Sequence, residues 1–321
     1  MKVSALLALP PALAVRRLAL AQLDAAASAC ARVVNRDDAE ALHDFRVALR
    51  RLRSILRAYA PWCDPVPKDL RRRLRRLARA TNAARDAEVQ IEWLRHPPSR
   101  LKADARLALA WLLAGLEQRQ RTAHRALRKR VRKEFAALEP RLRAVLRIRK
   151  HERDAVTTAG VSFAQATSGR LSGYGADLAA DLAGIGSVAD RDAIHAARIG
   201  GKRLRYLLEP LRGTVPGVVV PVKKLQGLQD RFGELNDRFV MAHEIAQALD
   251  IAGAQAEAVL PGLRELAAWV GHDTKRRYRD IRARYLGPRA RTFLAPMLGV
   301  SRKLATLGQA SDSKPRRVPL I

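Results

Sequence analysis

Two stretches far apart in this chain spell the same helix. LHDFRVALRRLRSILRAY at residues 42–59 and IHAARIGGKRLRYLL at 194–208 align in a single register. His43 falls on His195, Arg46 on Arg198, Val47 on Ile199 and Arg50 on Lys202, and Arg51, Leu52 and Arg53 fall on Arg203, Leu204 and Arg205. A second pair, LRRLARATNAARDAEV at 74–89 and LQGLQDRFGELNDRFV at 225–240, follows at nearly the same offset, with Asp86 opposite Asp237. Self-similarity at a fixed offset marks a repeated structural unit. The chain therefore reads as a duplicated module: 1–155 for the first copy, 156–300 for the second, and 301–321 as a flexible tail without periodicity.

The repeated unit is helical. Leu42, Phe45, Leu49, Leu52 and Leu56 recur at steps of three and four, which places them on one face of an α-helix. No sizeable stretch shows the alternation of a strand, so the expected class is all-α. Short connections imply antiparallel neighbours, giving two four-helix bundles related by a pseudo-two-fold internal repeat. In the first copy the expected helices run from Pro11 to Val34, through the His43 stretch as far as Pro61, over 66–95, and over 100–138 up to Pro140. Asn35 or Asp37 is the expected N-cap of the His43 helix, with Glu40 completing a capping box on Asp37. In the second copy they cover 162–184, 189–212, 220–251 and 256–286. The Gly-, Ser- and Thr-rich AVTTAGVSFAQATSGRLSGYG at 155–175 reads as the hinge between copies.

A second stripe runs beside the apolar one. His43, Arg46, Arg50, Arg53 and Arg57 keep the same three-and-four spacing, each one step after a core position. One step is about 100° of rotation, so these side chains border the buried face. Their stems lie against apolar surface with their charged heads free. From His43 to Arg57 the stripe rises about 21 Å at 1.5 Å per residue. That length suits a line of phosphates better than a single small anion. The next helix adds KDLRRRLRRLAR, in which Arg72, Arg73 and Arg76 flank Leu70, Leu74 and Leu77; Lys223 and Lys224 stand in the corresponding place of the second copy. A further run at 121–132, RTAHRALRKRVR, steps its arginines by four and three.

The whole chain carries 61 basic against 31 acidic residues, a formal net charge of +30, and both copies are basic. Self-repulsion of that size opposes compaction unless a polyanion offsets it. Most of the cations are arginines, whose planar fork matches phosphate bidentately. Like charges at helical spacing also oppose the helix by a few tenths of a kcal/mol per pair, and acidic residues at those spacings are scarce. An external anion is the simplest compensation. The two histidines, each three residues before an arginine, are suited to donate to phosphate. Asp86 and Asp237 read as groups that orient an arginine or cap a helix.

Other chemistries lack their residues. Cys30 and Cys63 supply neither a disulfide framework nor a metal-ligand spacing, and no metal or cofactor is expected. No GxxxxGK[ST], HExxH or ExExK motif occurs, so no catalytic residue is assigned and a non-enzyme is expected. The N-terminal MKVSALLALPPALAVRRLALAQL has the flavour of a signal peptide, but Pro10-Pro11 and Arg16-Arg17 break its apolar run. No stretch approaches the ~20 apolar residues of a membrane span. Aromatic residues make up only 5%, too few for the stacking platforms of a single-strand nucleic-acid binder.

The paired stretches 42–59 and 194–208, with their following helices at 74–89 and 222–240, resemble the signature helices of the CHAD (conserved histidine α-helical) domain family. The resemblance extends from about residue 10 to 290. It implies a stand-alone CHAD protein with a basic surface or channel that binds inorganic polyphosphate without catalysis. It also implies a cytoplasmic location associated with polyphosphate granules. The contacts it implies are His43, Arg46, Arg50 and Arg53 with His195, Arg198, Lys202 and Arg205, joined by Arg73 and Lys224. Alternatives are a nucleic-acid-binding helical protein with weak, backbone-only contacts, or an accessory subunit of a polyphosphate-processing enzyme. One departure is Gly200-Gly201, where the first copy has Ala48-Leu49. These glycines cost helix stability and either permit close packing or loosen the second copy.

Overall fold

The computed structural model describes residues 3–33, 38–63, 66–97, 101–148 and 160–312. Among these residues the chain is all-α and contains no strand. Ten α-helices follow in order: α1 (Val3–Leu7), α2 (Pro11–Arg32), α3 (Ala39–Ala58), α4 (Lys68–Arg95), α5 (Ala103–Leu146), α6 (Phe163–Ala183), α7 (Arg191–Leu208), α8 (Val219–Gln255), α9 (Leu260–Tyr285) and α10 (Pro288–Asp312). No helix among the described residues is long and apolar enough to cross a membrane.

Helix α3 forms as its two stripes require. Phe45, Leu49 and Leu52 are completely buried, and the cationic positions beside them are half-buried or exposed. Its N-cap is Asp38, whose Oδ1 accepts from the Ala41 amide at 2.9 Å. The expected caps Asn35 and Asp37 lie outside the described residues. Arg32, at the end of α2, donates to both Asp38 and Asp44 at 2.7 Å, fastening the α2–α3 corner.

Three expectations need correction. The 155–175 stretch is not a hinge throughout. Residues 155–159 lie outside the described part, but α6 begins at Phe163 behind a capping box made by Ser162 and Gln165. Its serines Ser168 and Ser172 serve the contact with α10 instead, whereas Gly169 and Gly173 have open space around them. Ser168 Oγ donates to the Ser301 carbonyl on α10 at 2.7 Å, and a Cβ on Gly308 would stand 2.4 Å from the Gln165 Cγ. The expected tail also starts too early, because α10 runs to Asp312 and buries Ser301 and Leu304. Pro140 lies inside α5 and does not end it. A proline removes one helical hydrogen bond, yet Leu138, Leu142 and Leu146 are buried on either side and hold the next turn in place.

The core does not divide at residue 155. One large cluster draws Leu23, Leu49 and Leu142 from the first copy and Leu171, Leu204 and Phe232 from the second. A smaller cluster is built from the far ends of four helices: Leu94 of α4, Leu112 of α5, Ile245 of α8 and Leu266 of α9. Both clusters are shared between the copies. The glycine pair of α7 is also resolved. Gly200 and Gly201 are buried, and a Cβ on Gly201 would stand 2.7 Å from Leu228 Cδ2. Gly201 admits α8 at close range, while a Cβ on Gly200 would stand 3.3 Å from Leu178 and Asp181 of α6.

Candidate functional site

Helices α3 and α7, the two copies of the signature stretch, pack side by side. Burial of Leu49 and Leu52 on one and Ala197 and Leu204 on the other fixes their rotation. The bordering cations therefore converge on a single cavity of about 520 Å³. Arg46, Arg50, Arg53 and Arg57 form one wall, and His195, Arg198, Lys202 and Arg203 form the facing wall. Arg79 of α4 closes one side; Ser54, Tyr174, Tyr206 and Asn236 complete the polar lining, and no carboxylate of the described residues is part of it.

The electrostatics of this trough are those of a site missing its counter-charge. Burial, followed by the charges of Arg198, Arg50, Arg46 and Arg205, pushes Lys202 down to about 7. Burial also lowers Arg50, with Arg205 and Arg51 adding to the effect against Tyr206 and Glu209. Arg53 is lowered by burial and by Arg57, Arg75 and Arg79. The Nε atoms of Arg50 and Arg198 are buried with no hydrogen-bond partner. An unsatisfied buried donor costs about 1–3 kcal/mol, and a ligand oxygen would relieve it. Tyr206 braces the wall, with the guanidinium carbons of Arg50 and Arg205 each 5.3 Å from its ring centroid.

Of the residues expected from the sequence, the trough gathers Arg46, Arg50, Arg53, Arg57, His195, Arg198 and Lys202. It does not gather the others. His43 is exposed near the start of α3, outside the lining. Arg205 turns to Glu209, 3.2 Å away, which also holds Arg51 at 3.1 Å. Arg72, Arg73 and Arg76 are exposed on α4, the last two facing α5 across a separate groove. Lys223 and Lys224 are exposed on α8 and line no part of the trough. The side chain of Asp86 lies outside the described residues, and Asp237 is half-buried on α8. The candidate set had omitted six polar lining groups. Ser54, Arg79, Arg203, Tyr206 and Asn236 lie within the aligned stretches; Tyr174 carried no signal of its own.

Elsewhere arginines are neutralised within the protein. Asp273 on α9 accepts from Arg238 Nε at 2.6 Å, from Arg277 Nε at 2.8 Å and from Arg276 Nε at 3.0 Å. Burial pushes this carboxyl up, but the three guanidinium hydrogen bonds overcome it and hold it at about 2. At the end of α5, Arg141 donates to Asp69 and Arg143 to Asp24, each at 2.8 Å. Among the described residues no group of three or more His, Cys, Asp or Glu could hold a metal ion.

Comparison with known proteins agrees with this architecture. The family model of the CHAD domain matches residues 17–246. The chain belongs to that family. The crystal structure of the CHAD domain from the plant Ricinus communis superposes with a TM-score of 0.70 at 23% identity, covering 88% of this chain and 92% of that one. At that identity the likeness is one of fold. No curated protein matches the chain.

Proposed function

We propose that the trough between α3 and α7 binds inorganic polyphosphate and that the protein is a non-catalytic binder of this polymer, associated with polyphosphate granules. One observation carries the reading: cations from both copies line a single trough in which no described residue supplies a carboxylate. A thread of phosphates supplies the missing charge and accepts from the buried Nε atoms of Arg50 and Arg198. Arginine forks and the Lys202 ammonium provide the charge-assisted contacts that phosphate oxygens favour. Membership of the CHAD family, a family linked to polyphosphate, supports the same ligand. The two-copy reading fits as well, because the equivalent pairs Arg46/Arg198 and Arg50/Lys202 stand on opposite walls.

A competition assay tests this. Long-chain polyphosphate is expected to displace duplex DNA from the protein at equal phosphate concentration, with binding that weakens steeply as salt rises. Displacement in the opposite direction overturns the reading in favour of nucleic acid.

A further inference from the structure

The trough leaves a second concentration of cations unused. The middle of α5 carries Arg121, Arg125, Arg128 and Arg132 at steps of four and three, with Lys129 and Lys133 alongside. Two open grooves follow this stretch. One, of about 840 Å³, opens toward the end of α2 and is lined by Val33, Arg121, Arg125 and Arg132. The other, of about 600 Å³, lies between α5 and α4, where Arg73 and Arg76 face Arg130. Lys129 and Lys133 line both, so the grooves form one band across the helix.

Internal compensation stops where this band begins. Arg141 and Arg143, farther along α5, are held by Asp69, Asp24 and Glu139. Within the band the carboxylates are Glu88, 3.3 Å from His124, and Glu134, 2.8 Å from Arg130. Arg121, Arg125, Lys129, Arg132 and Lys133 make no ion pair among the described residues. Helix α4 connects the band to the trough. Arg79 lines the trough and, with Arg75, crowds Arg53, whereas Arg73 and Arg76 on the same helix line the nearer groove of the band.

The chemistry of the lining selects the ligand. Neither groove is lined by Phe, Tyr or Trp, the rings that build stacking platforms for successive bases. The surface offers a row of charge that rises about 18 Å from Arg121 to Lys133 at 1.5 Å per residue.

We propose that the α5 band is a second polyphosphate site, occupied by the part of a long chain that runs beyond the trough. This rests on the reading of the trough as a polyphosphate site. A short oligophosphate fills the trough alone. A long chain spans both sites and gains affinity because its second contact is intramolecular. The protein thereby distinguishes polymer length.

The test uses the full chain, calorimetric titration with tripolyphosphate and with long-chain polyphosphate, and two variants. Circular dichroism confirms that both fold. The band variant is Arg125→Gln, Lys129→Gln, Arg132→Gln and Lys133→Gln. It is expected to bind tripolyphosphate as the unaltered protein does, and to lose about tenfold or more in affinity for the long chain. The trough variant, Arg50→Gln with Lys202→Gln, is expected to lose tripolyphosphate. Unchanged long-chain affinity in the band variant overturns the proposal, as does equal loss for short and long chains, which means a diffuse charge effect. Loss of duplex DNA binding with long-chain affinity intact also overturns it and assigns the band to nucleic acid. Tripolyphosphate binding that survives in the trough variant instead overturns the assignment of the trough, whatever the band does.

Discussion

The trough and the Asp273 knot are both crowded with arginine, yet they are opposite constructions. Around Asp273, three guanidinium groups converge on one buried carboxylate that is held ionised to about pH 2. In the trough, arginines from both copies surround a lysine whose pKa is pushed down to about 7, and no described residue of the lining is an acid. Guanidinium density is therefore a poor guide to binding in a chain of +30. The guide is whether the counter-charge has been built in. Where it has, the cations hold the fold together; where it has not, the proposed polyphosphate would supply it.

Four measurements probe this contrast. The largest expected effect is on binding. Arg46→Ala with Arg50→Ala removes two charge-assisted contacts of about 1.5–3 kcal/mol each. Affinity for polyphosphate should fall roughly a hundredfold or more. Arg141→Ala with Arg143→Ala, which removes cations already paired to Asp69 and Asp24, should cost less than about threefold. Equal losses in a titration of the two double variants erase the distinction. Next comes stability. Asp273→Asn leaves Arg238 buried beside an uncharged partner, and breaking such a pair costs about 3–5 kcal/mol. Chemical denaturation should register that loss while polyphosphate affinity stays within about twofold. The wild-type contribution of Asp273 is present above the ordinary carboxylate range and disappears as pH falls through about 2.

A smaller effect concerns the α7–α8 contact. Gly201→Ala places a methyl group where Leu228 stands, and overpacking of this kind costs about 1–3 kcal/mol. The midpoint of thermal unfolding should drop accordingly. If it rises, the glycine is a weakness of the helix and not a fitted contact.

The last effect is on proton linkage. Lys202 is held at about 7, below its ordinary value, so its charged form destabilises the ligand-free fold. The free protein should gain stability as pH rises from 7 toward 10. Bound polyphosphate favours the ammonium, so binding takes up a proton, and affinity should fall roughly fivefold from pH 7 to 8. Lys202→Met should flatten both profiles, raise the ligand-free melting temperature and weaken binding. A Lys202→Met protein with the unaltered pH dependence removes Lys202 from the account.

Much of this was legible in the sequence because period and charge shared one helix. Once Leu49 and Leu52 are buried, positions 46, 50 and 53 have nowhere to point but along the same border. Duplication then supplies the facing wall. The failures fall where that logic weakens. His43 keeps the spacing but sits a turn before the α3–α7 trough begins. Arg205 occupies the place equivalent to Arg53 but has Glu209 one turn later, and a local acid wins over a distant anion. The expected helix over 162–184 formed, and the hinge reading of 155–175 overlapped it because Ser168 and Ser172 hydrogen-bond Ser301 of α10, a partner that local composition does not disclose. Pro140 failed as a stop signal for the same reason: leucines on both sides are anchored by tertiary contacts.

The smaller apolar cluster, made from the ends of α4, α5, α8 and α9, carries a lesson about divisibility. A gene cut at the seam between the copies would not give two miniature versions of the protein. Each fragment would present half of a greasy joint to water and would seek another half, its own twin included. If the two stretches are copies of one module, the joint they share makes each depend on the other.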